Sequence, residues 1–467
     1  MKRYLVILSL VVLASCSKWL DVKPRGYDIP GTIEQYEGLL FGTDAFFMDE
    51  VFEYMSFEFT SSAEDYPNTY TSMGRAVCNA YKWQKDIFLP DENCGEWNTP
   101  CAFLYPLNVV VAEVMGAAGA SEQKKAEILS EARVLRAWHI FLMAQFFAPP
   151  YDEAIAGTTR CIPLITEAKT VGAEFPLRTM KEVYDFVLGE MKASVPQLPQ
   201  EKEHHLRVFK ATGYAMLGKV LWMMGKYSEA EPYLETAFAA AKAQGAVLLD
   251  YNTLMQSDGN IDLPTDQTAN PEYLSLLATM ARLMPAVNTS YYAKAVFPIK
   301  EEVLFDFYTK GDTRLATWTG IKSRKTAYAS FKKGDKYAAN ISGMLTNIGI
   351  GVPDLYLMYA ECLARAGKNT EAAALLTELR SHRMGAADAA ALDADLVVAA
   401  VKERVREYAG YGNLWFDMRR LWKDDAFQFL KAYYTHTDGT DTYSLTQDRL
   451  FLEIPPVVKS WHPEYDN

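Results

Sequence analysis

Two stretches of the chain share the hydrophobic pattern of a short helical hairpin. Between Ala211 and Phe238, small and large apolar residues recur at helical spacing on both sides of Gly225. From Asp354 to Arg380 a similar pattern surrounds Gly367. Because a glycine just past a helix permits the left-handed backbone that ends it, each stretch predicts two antiparallel helices joined by a tight turn.

The first hairpin carries more detail. Gly218 and Ala230 are small where the two helices would face each other, and Tyr227 follows the turn. Ser228 to Glu231 predicts a capping box that opens the second helix. This pattern is typical of a tetratricopeptide (TPR) helix pair, which buries its apolar side only by stacking on neighbouring pairs. Generic helical hairpins, without the shared glycine and small-residue pattern, are the alternative.

Two further pairs rest on weaker signals. A helical pattern from Glu127 to Phe147 is interrupted by two prolines and resumes from Met180 to Val195. Another begins at Lys402 to Tyr408. The sequence therefore predicts an all-α fold of TPR-like helix pairs near 127–196, 211–244, 354–380 and 400–422.

Long segments near 54–100 and 251–349 separate these helices. They are rich in Tyr, Asn, Asp, Gly, Thr and Pro, which favour turns. Loops of such length inside a compact domain are usually functional. We therefore expect long irregular loops and a few short strands on a helical scaffold.

The N-terminus predicts the compartment. Lys2 and Arg3 precede an apolar run from Tyr4 to Leu13, and Leu13-Ala14-Ser15 leads directly to Cys16. This pattern indicates a signal peptide over residues 1–15, too short to span a membrane. Cys16 completes a lipobox, and its acyl chains would each contribute roughly 0.8 kcal/mol per buried CH₂ to an anchor. An ordinary secretion signal with a coincidental cysteine is the alternative, and no other stretch is predicted to cross a bilayer.

Composition narrows the classes of function. The chain is 49% hydrophobic and 23% charged, which suits a large globular body. Its net charge of −12 argues against nucleic-acid binding and against electrostatic adhesion to anionic lipid. Five cysteines remain beside Cys16, and this odd number forbids a complete disulfide framework. Cys94 and Cys101 could pair locally, and we expect Cys362 to be a small buried residue.

The sequence offers no motif for catalysis. Six histidines are scattered, and no H-E-x-x-H, G-x-S-x-G or Walker motif occurs. A glycosidase needs two carboxylates about 5–10 Å apart in space, which a sequence does not reveal. We predict no catalytic residue, no cofactor and no metal site.

Several short motifs, in order, resemble the SusD/RagB family of nutrient-binding outer-membrane lipoproteins. They are Trp19-Leu20-Asp21-Val22-Lys23-Pro24, Trp97-Asn98 with Tyr105 and Asn108, Glu131 to Ala137, Ile162-Pro163-Leu164, Gly311 to Arg314, Leu357 to Glu361, the spaced set Glu403-Arg404, Glu407, Gly412, Asp417 and Arg420, and Phe451 to Pro455. Thr313 stands where the family usually has proline. Tyr411 and Leu414 replace a usual Glu and Arg, so one ion pair is expected to be lost.

The resemblance implies a single SusD-like domain over 16–467, held at the cell surface of the outer membrane through lipidated Cys16 alone. It implies capture of an oligosaccharide or polysaccharide and its delivery to a SusC-like TonB-dependent outer-membrane transporter, with the TPR side packed on that partner. Some relatives capture peptides, so a peptide ligand stays open. A surface glycan-degrading enzyme and a TPR-type assembly scaffold are the alternatives from other classes.

The ligand is expected on the loop-bearing side. Sugars have apolar ring faces and polar rims, so aromatic rings beside amides and carboxylates are the expected contacts. The predicted residues are Asp65, Tyr66, Asn68 and Tyr70 in the first loop region, and Tyr291, Tyr292, Trp318 and Tyr328 in the second. We expect Trp83 and Trp97 to lie in the core, and the motif charges Glu131, Arg133, Arg136, Glu361, Arg404, Glu407 and Arg420 to be buried in ion pairs.

Overall fold

The computed structural model describes residues 30–41, 45–46, 51–169, 174–201, 204, 207–264, 270–275, 278–279, 297–320, 325–339 and 346–466. The predicted signal peptide, Cys16, Tyr291 and Tyr292 lie outside these ranges. Helices dominate the described residues and the strands are short, which confirms the predicted mostly helical fold.

The α-helices are α1 (Ile33–Phe41), α2 (Tyr66–Tyr81), α3 (Gly95–Glu113), α4 (Glu122–Phe147), α5 (Glu153–Ala156), α6 (Met180–Ser194), α7 (Lys210–Met223), α8 (Tyr227–Ala243), α9 (Tyr251–Leu254), α10 (Glu301–Phe307), α11 (Ala327–Ser330), α12 (Val352–Arg365), α13 (Asn369–Ser381), α14 (Ala386–Ala390), α15 (Leu396–Tyr408), α16 (Leu414–Leu421) and α17 (Pro456–Trp461). The strands are β1 (Ala45–Phe46), β2 (Arg160–Pro163), β3 (Leu177–Thr179), β4 (Tyr273–Ser275), β5 (Ala278–Thr279), β6 (Trp318–Gly320), β7 (Tyr337–Ala339), β8 (Thr346–Asn347), β9 (Ile350–Gly351), β10 (Thr435–Thr437) and β11 (Thr442–Ser444).

The two predicted hairpins are α7–α8 and α12–α13, and their turns have the same conformation. Gly225 and Gly367 both have φ of 74°. After each glycine a lysine N–H donates back into the first helix, from Lys226 to the Leu221 carbonyl and from Lys368 to the Leu363 carbonyl, each at 2.9 Å. The left-handed glycine satisfies carbonyls that the ending helix leaves free.

The prediction of a capping box at Ser228 was wrong. Helix α8 begins at Tyr227, and its N-cap Lys226 makes no side-chain capping bond. The turn places the Lys226 carbonyl so that it accepts from the N–H groups of Glu229 and Ala230. Ser228 is therefore already inside the first turn of the helix, two residues after the N-cap position.

Close packing inside the first hairpin depends on Gly218. A Cβ at this position would lie 2.6 Å from Leu234 Cδ2, and Leu234 is fully buried. The absent side chain lets α7 and α8 approach, as the sequence predicts.

The interrupted pair is α4 and α6, which pack on each other, and α3 also packs on α4. By length and composition the helix Gly95–Gly116 could cross a membrane. It instead lies along α4 and buries Trp97, Leu104 and Leu107, so it is a core helix. This finding corrects the expectation that no stretch beyond the N-terminal run is long and apolar enough to cross a bilayer.

The segment 54–100 is less irregular than predicted. It contains all of α2 and the start of α3. Pro67 lies in the first turn of α2, where its missing N–H costs nothing, and the helix bends at Gly74, where φ is 81°. The turn-forming residues therefore start and bend a helix instead of replacing it.

Short strand pairs join the loop regions. In the β6–β7 pair Trp318 is opposite Ala339 and Gly320 is opposite Tyr337. Single bridges connect Phe59 to Ile299 and Ile299 to Tyr337. These contacts bring the first loop region beside the second.

The five described cysteines are free thiols. Cys94 and Cys101, which could have paired, therefore remain separate, and Cys362 is buried as predicted.

Candidate functional site

One surface joins residues from both loop regions. Asp65 Oδ2 lies 2.6 Å from Lys336 Nζ and accepts a hydrogen bond of 2.5 Å from Ser62 Oγ. Phe331 packs 4.4 Å from Phe305, centroid to centroid, with 27° between the rings. We call these five residues the loop face.

The aromatic and polar halves of the loop face are connected through Tyr337. Its ring centroid lies 5.7 Å from that of Phe331, and its hydroxyl accepts from the backbone N–H of Lys332. Tyr337 directly follows Lys336, so the start of β7 links the ion pair to the ring stack. Phe305 is 40% exposed, which leaves part of its ring open to solvent.

A second cluster, around Lys82, adjoins Asp65 through its neighbour Tyr66. Lys82 Nζ lies 4.4 Å from the Tyr66 ring centroid, 4.9 Å from that of Tyr443 and 2.8 Å from Asp438 Oδ2. Tyr443 also donates its hydroxyl proton to Asp438 at 2.9 Å. Burial opposes the ionised form of Asp438, but the backbone N–H of Asp441 and Lys82 outweigh it and hold the pKa of Asp438 below its usual value.

Three buried ionisable groups lie beneath this surface. Glu58 accepts from the Ser56 hydroxyl at 2.5 Å and from the Gly410 N–H at 3.2 Å. Lys300 donates to the carbonyls of Tyr433 and Thr435. Burial raises the pKa of Glu58 to about 7 and lowers the pKa of Lys300 to about 7.

His436 is the third of these groups. Its ring stacks between Tyr81 and Trp83, at centroid distances of 4.2 and 3.9 Å. Its nitrogens face the carbonyls of Tyr81 and Ser56. Burial and the nearby Lys300 hold the pKa of His436 well below its usual value. The ring is fully buried, so it supports the β10–β11 hairpin from below and does not meet solvent.

The predicted ligand residues of the first loop region fall on or near the loop face. Asp65 is part of it, Tyr66 packs on Lys82, and Tyr70 is 47% exposed on α2. Asn68 is within α2, and its side chain lies outside the described part of the structure.

The second loop region departs from the prediction. Trp318 is 3% exposed, and its Cη2 would lie 2.4 Å from a Cβ at Gly410, so this ring is packed in the core and offers no face to a ligand. Tyr328 is 37% exposed on α11, whose Ala329 packs near Gly259. Tyr291 and Tyr292 lie outside the described residues.

The sequence analysis did not predict Phe305, Phe331 and Lys336 as residues of the site. One signal was available for Phe305. In α10 the buried apolar residues are Val303, Leu304 and Phe307, so Phe305 is a large aromatic residue on the polar side of the helix. Phe331 and Lys336 meet their partners through contacts distant in sequence, which no local pattern shows.

The motif charges are buried and paired, as predicted, with one exception. Their ion pairs are Glu131–Arg207, Arg136–Glu190, Glu361–Arg420, Arg404–Asp417, Arg404–Asp354, Glu407–Arg383 and Glu407–Arg314. For Arg133 the described residues provide no ion pair, and its buried Nε has no acceptor among them. These charges lock helices together and do not form a surface site.

A cavity of about 100 Å³ lies inside the fold, between the helices and the second loop region. Its lining includes Trp138 and Gln145 from α4, Lys219 and Trp222 from α7, and Asp354 from α12; Asn270, Glu272, Tyr273, Asn347, Gly349, Arg404, Glu407, Tyr408, Tyr411, Asn413 and Phe416 also contribute. Aromatic walls with a few convergent polar groups are typical of small-molecule sites.

Comparisons with known proteins agree on one fold. The chain resembles a solved SusD superfamily protein from Bacteroides vulgatus, with 18% identity, a TM-score of 0.69, and coverage of 93% of this chain and 98% of that one. It resembles a laminarin-binding SusD-like protein with 18% identity, a TM-score of 0.63, and coverage of 91% and 96%. For surface glycan-binding protein A from Bacteroides uniformis the identity is 15%, the TM-score 0.67, and the coverage 93% and 98%. A sequence search of curated proteins gave no match.

Two family models match the sequence itself. One, described as the SusD family, matches residues 301–458. The other, described as starch-binding and associating with the outer membrane, matches residues 18–221. The two ranges together cover well over half of the sequence, and the helical fold agrees with both. The chain belongs to the SusD/RagB family.

Proposed function

We propose that this protein is a cell-surface lipoprotein that binds a glycan on the loop face and delivers it to a SusC-like TonB-dependent transporter. The observation that carries the proposal is the loop face itself, where a partly exposed ring stack adjoins an ion-paired Asp65 and Lys336. The laminarin-binding and surface glycan-binding relatives support a carbohydrate as the ligand class.

The chemistry of the loop face suits a neutral sugar. The apolar face of a sugar ring can stack on Phe305, and roughly 50 Å² of covered apolar area would contribute on the order of 1 kcal/mol. Ser62, Asp65 and Lys336 offer a hydroxyl, a carboxylate and an ammonium group to the hydroxyl rim. Because Asp65 and Lys336 pair with each other, neither of these two charges requires an ionised ligand.

A few contacts of this size give micromolar to millimolar affinity, which suits a protein that must release its cargo. We propose binding without catalysis, because Asp65 is the one carboxylate of the loop face and is held by Lys336 and Ser62, and because the sequence contains no motif of a hydrolase. The anchor at Cys16 and the transporter contact through the TPR side follow from membership of the family and remain parts of this proposal.

The test uses soluble protein with Cys16→Ala and two neutral glucans, laminarin and starch, in affinity gels and calorimetry. Phe305→Ala with Phe331→Ala should weaken glucan binding about tenfold or more. Phe429→Ala is the matched control, because Phe429 is also 40% exposed but lies in the segment Asp425–Tyr433. Equal affinity of the double variant and the wild type would refute the loop face as the site.

The same samples separate the alternatives. Release of reducing sugar from either glucan would favour an enzyme. Binding of a peptide mixture without binding of a glucan would favour the peptide-capturing alternative. Absence of binding to glucans and peptides, together with retained binding to the transporter, would favour a scaffold.

A further inference from the structure

The β10–β11 hairpin ends in a tight tip that rests directly on the loop face. Gly439 lies at this tip with a φ of 86°. A Cβ at Gly439 would lie 2.5 Å from the carbonyl carbon of Ser62 and 2.7 Å from Ala63 Cα. Backbone therefore packs on backbone at this point. A side chain at Gly439 would push the two segments apart, and it would also have to adopt a left-handed conformation that favours glycine.

One carboxylate organises the tip and connects it to the end of α2. Asp438 Oδ1 accepts from the backbone N–H groups of Thr440 and Asp441, at 2.9 and 2.8 Å. Asp438 Oδ2 accepts from Lys82, the residue that follows α2, and from the Tyr443 hydroxyl. These bonds add to the strand pairing and fix the direction in which the tip points.

The base of the hairpin is attached to the same helix. The Tyr81 hydroxyl donates to the Thr437 carbonyl at 2.8 Å, and His436 stacks between Tyr81 and Trp83. Trp83 has a φ of 49°, a left-handed conformation that a bulky residue keeps only where its surroundings impose it. Its Nε1 donates to the Met55 carbonyl at 2.8 Å. The hairpin therefore holds α2 at its C-terminal end, while the tip holds the chain just before its N-terminal end.

The contact at Ser62 reaches the polar half of the loop face. The Ser62 carbonyl accepts from the N–H groups of Asp65 and Tyr66, at 3.0 and 2.9 Å. Its hydroxyl donates to Asp65 Oδ2 and accepts from Lys336 Nζ at 3.0 Å. A shift of the Ser62 backbone would therefore displace the hydroxyl and the carboxylate together.

We propose that Gly439 is a positioning residue of the loop face. Through the backbone contact at Ser62, it holds Ser62 and Asp65 where they meet the hydroxyl rim of the ligand. This inference rests on the proposed function, because it gives Gly439 a role in binding the same glycan. The ring stack of Phe305 and Phe331 belongs to the other half of the loop face. Gly439 therefore acts on the polar contacts of the site and leaves the stacking contact in place.

The first experiment measures the positioning without any ligand. Hydrogen–deuterium exchange is compared in the soluble protein of the glucan test with and without Gly439→Ala. The N–H groups of Asp65 and Tyr66 should exchange about tenfold faster or more, because the new Cβ displaces the carbonyl that accepts from them. Gly245→Ala is the matched control, because Gly245 has a φ of 78° but a Cβ there meets nothing within 4 Å. It should leave the exchange of both groups unchanged.

The second experiment measures binding of laminarin and starch by calorimetry. Gly439→Ala should weaken binding about fivefold or more, as expected for displaced hydrogen bonds, whereas Gly245→Ala should bind as the wild type does. The double variant Ser62→Ala with Asp65→Ala removes both groups through which Gly439 acts. Adding Gly439→Ala to it should change the affinity by no more than about twofold. Added to Phe305→Ala, it should again weaken binding about fivefold, because the stacking contact is independent.

A general loss of folding would instead weaken binding equally in both backgrounds, and that result would overturn the proposal. Wild-type exchange in Gly439→Ala would also overturn it, as would an equal effect of Gly245→Ala. Faster exchange with unchanged glucan affinity would refute a role in binding. If Gly439→Ala fails to fold, as judged by circular dichroism, Asp438→Ala takes its place, because it releases the tip without adding an atom. It should speed the same exchange, and unchanged exchange would overturn the proposal.

The two experiments separate this inference from the proposed function. If the wild type binds neither glucan but Gly439→Ala speeds the exchange, the proposed function fails and the positioning of Ser62 by Gly439 stands. If the wild type binds a glucan and Gly439→Ala keeps wild-type affinity and exchange, the proposed function stands and the positioning role fails.

Discussion

Arg420 is the charged centre of the helix stack, and replacing it with methionine should cost about 3–5 kcal/mol of unfolding free energy. Its side chain is fully buried and makes a two-bond contact with Glu361, with N–O distances of 2.8 and 2.9 Å. It also donates to Asp417 and lies over the Trp222 ring, 3.6 Å from the ring centroid. Arg420→Met keeps much of the volume but leaves part of this buried negative charge uncompensated.

The size of the stability loss depends on the partners that Glu361 and Asp417 keep in Arg420→Met. Glu361 keeps Arg365, and Asp417 keeps Arg404, so neither carboxylate becomes fully isolated. Even so, breaking one side of a buried pair typically costs 3–5 kcal/mol, roughly a hundredfold or more in the unfolding equilibrium. Arg178→Met is the control, because the Arg178–Glu182 pair has an N–O distance of 3.8 Å and both side chains are about half exposed. Such a surface pair contributes about 1 kcal/mol at most.

The loss should also depend on pH. Burial raises the pKa of Glu361, but Arg420 and Arg365 outweigh it and hold that pKa below the ordinary value of 4.5. A lowered pKa in the folded state contributes stability above pH 4.5 that disappears as the pH falls through the folded value. In Arg420→Met the carboxyl is free to protonate at mildly acidic pH, so the difference from wild type should shrink there.

Urea unfolding followed by tryptophan fluorescence at pH 7.5 and pH 4.0 measures both effects. A loss below 1 kcal/mol at pH 7.5, or an equal loss at both pH values, would refute the claim that Arg420 compensates buried carboxylates.

Two further substitutions test other parts of the fold. Gly218→Ala should destabilise the protein by about 1–3 kcal/mol in urea unfolding, because the new Cβ would lie 2.6 Å from Leu234 Cδ2; an unchanged midpoint would show that α7 and α8 can separate without cost. Glu58→Gln should remove a stability change of ~3 kcal/mol between pH 5 and pH 8. The folded pKa of Glu58, about 7, lies above its ordinary value of 4.5, so its contribution is complete below pH 4.5 and is lost as the pH rises through 7. Lys300 acts in the opposite sense, since its folded pKa of about 7 lies below its ordinary 10.5 and its contribution is lost as the pH falls through 7. Parallel pH profiles of wild type and Glu58→Gln would contradict the assignment.

The helical scaffold was predictable because its signals are local. Each hairpin is encoded within about thirty residues. The signals are a glycine at the turn, small residues where the two helices meet, and apolar residues at helical spacing in both helices. The structure shows such hairpins in α7–α8 and α12–α13. The capping box failed for a local reason as well. The motif is present, but the backbone turn at Gly225 starts the helix before Ser228 is reached.

The loop face was only partly predictable, because its geometry depends on long-range contacts. Asp65 could be named from the first loop region, yet its partner Lys336 lies 271 positions later. Trp318 was named because aromatic residues in long loops often meet ligands, but the strand pairing of β6 with β7 and the approach of Gly410 bury it. Local composition therefore indicates which segments form a site, and tertiary packing decides which of their rings are exposed.

The residues that identify the family are thus better understood as supports of the site than as parts of it. Glu407 lies at the end of α15, and the turn that follows brings the Gly410 N–H to buried Glu58 and places Trp318 beneath the same glycine. Trp318 begins the strand that pairs with β7, which follows Lys336 directly. A change in α15 would therefore move the loop face through the packing of Gly410 on Glu58 and Trp318. None of the family-motif residues of α15 lies on the loop face. Loops can differ between relatives while the packing that carries them stays, and this explains how chains below 20% identity share one fold.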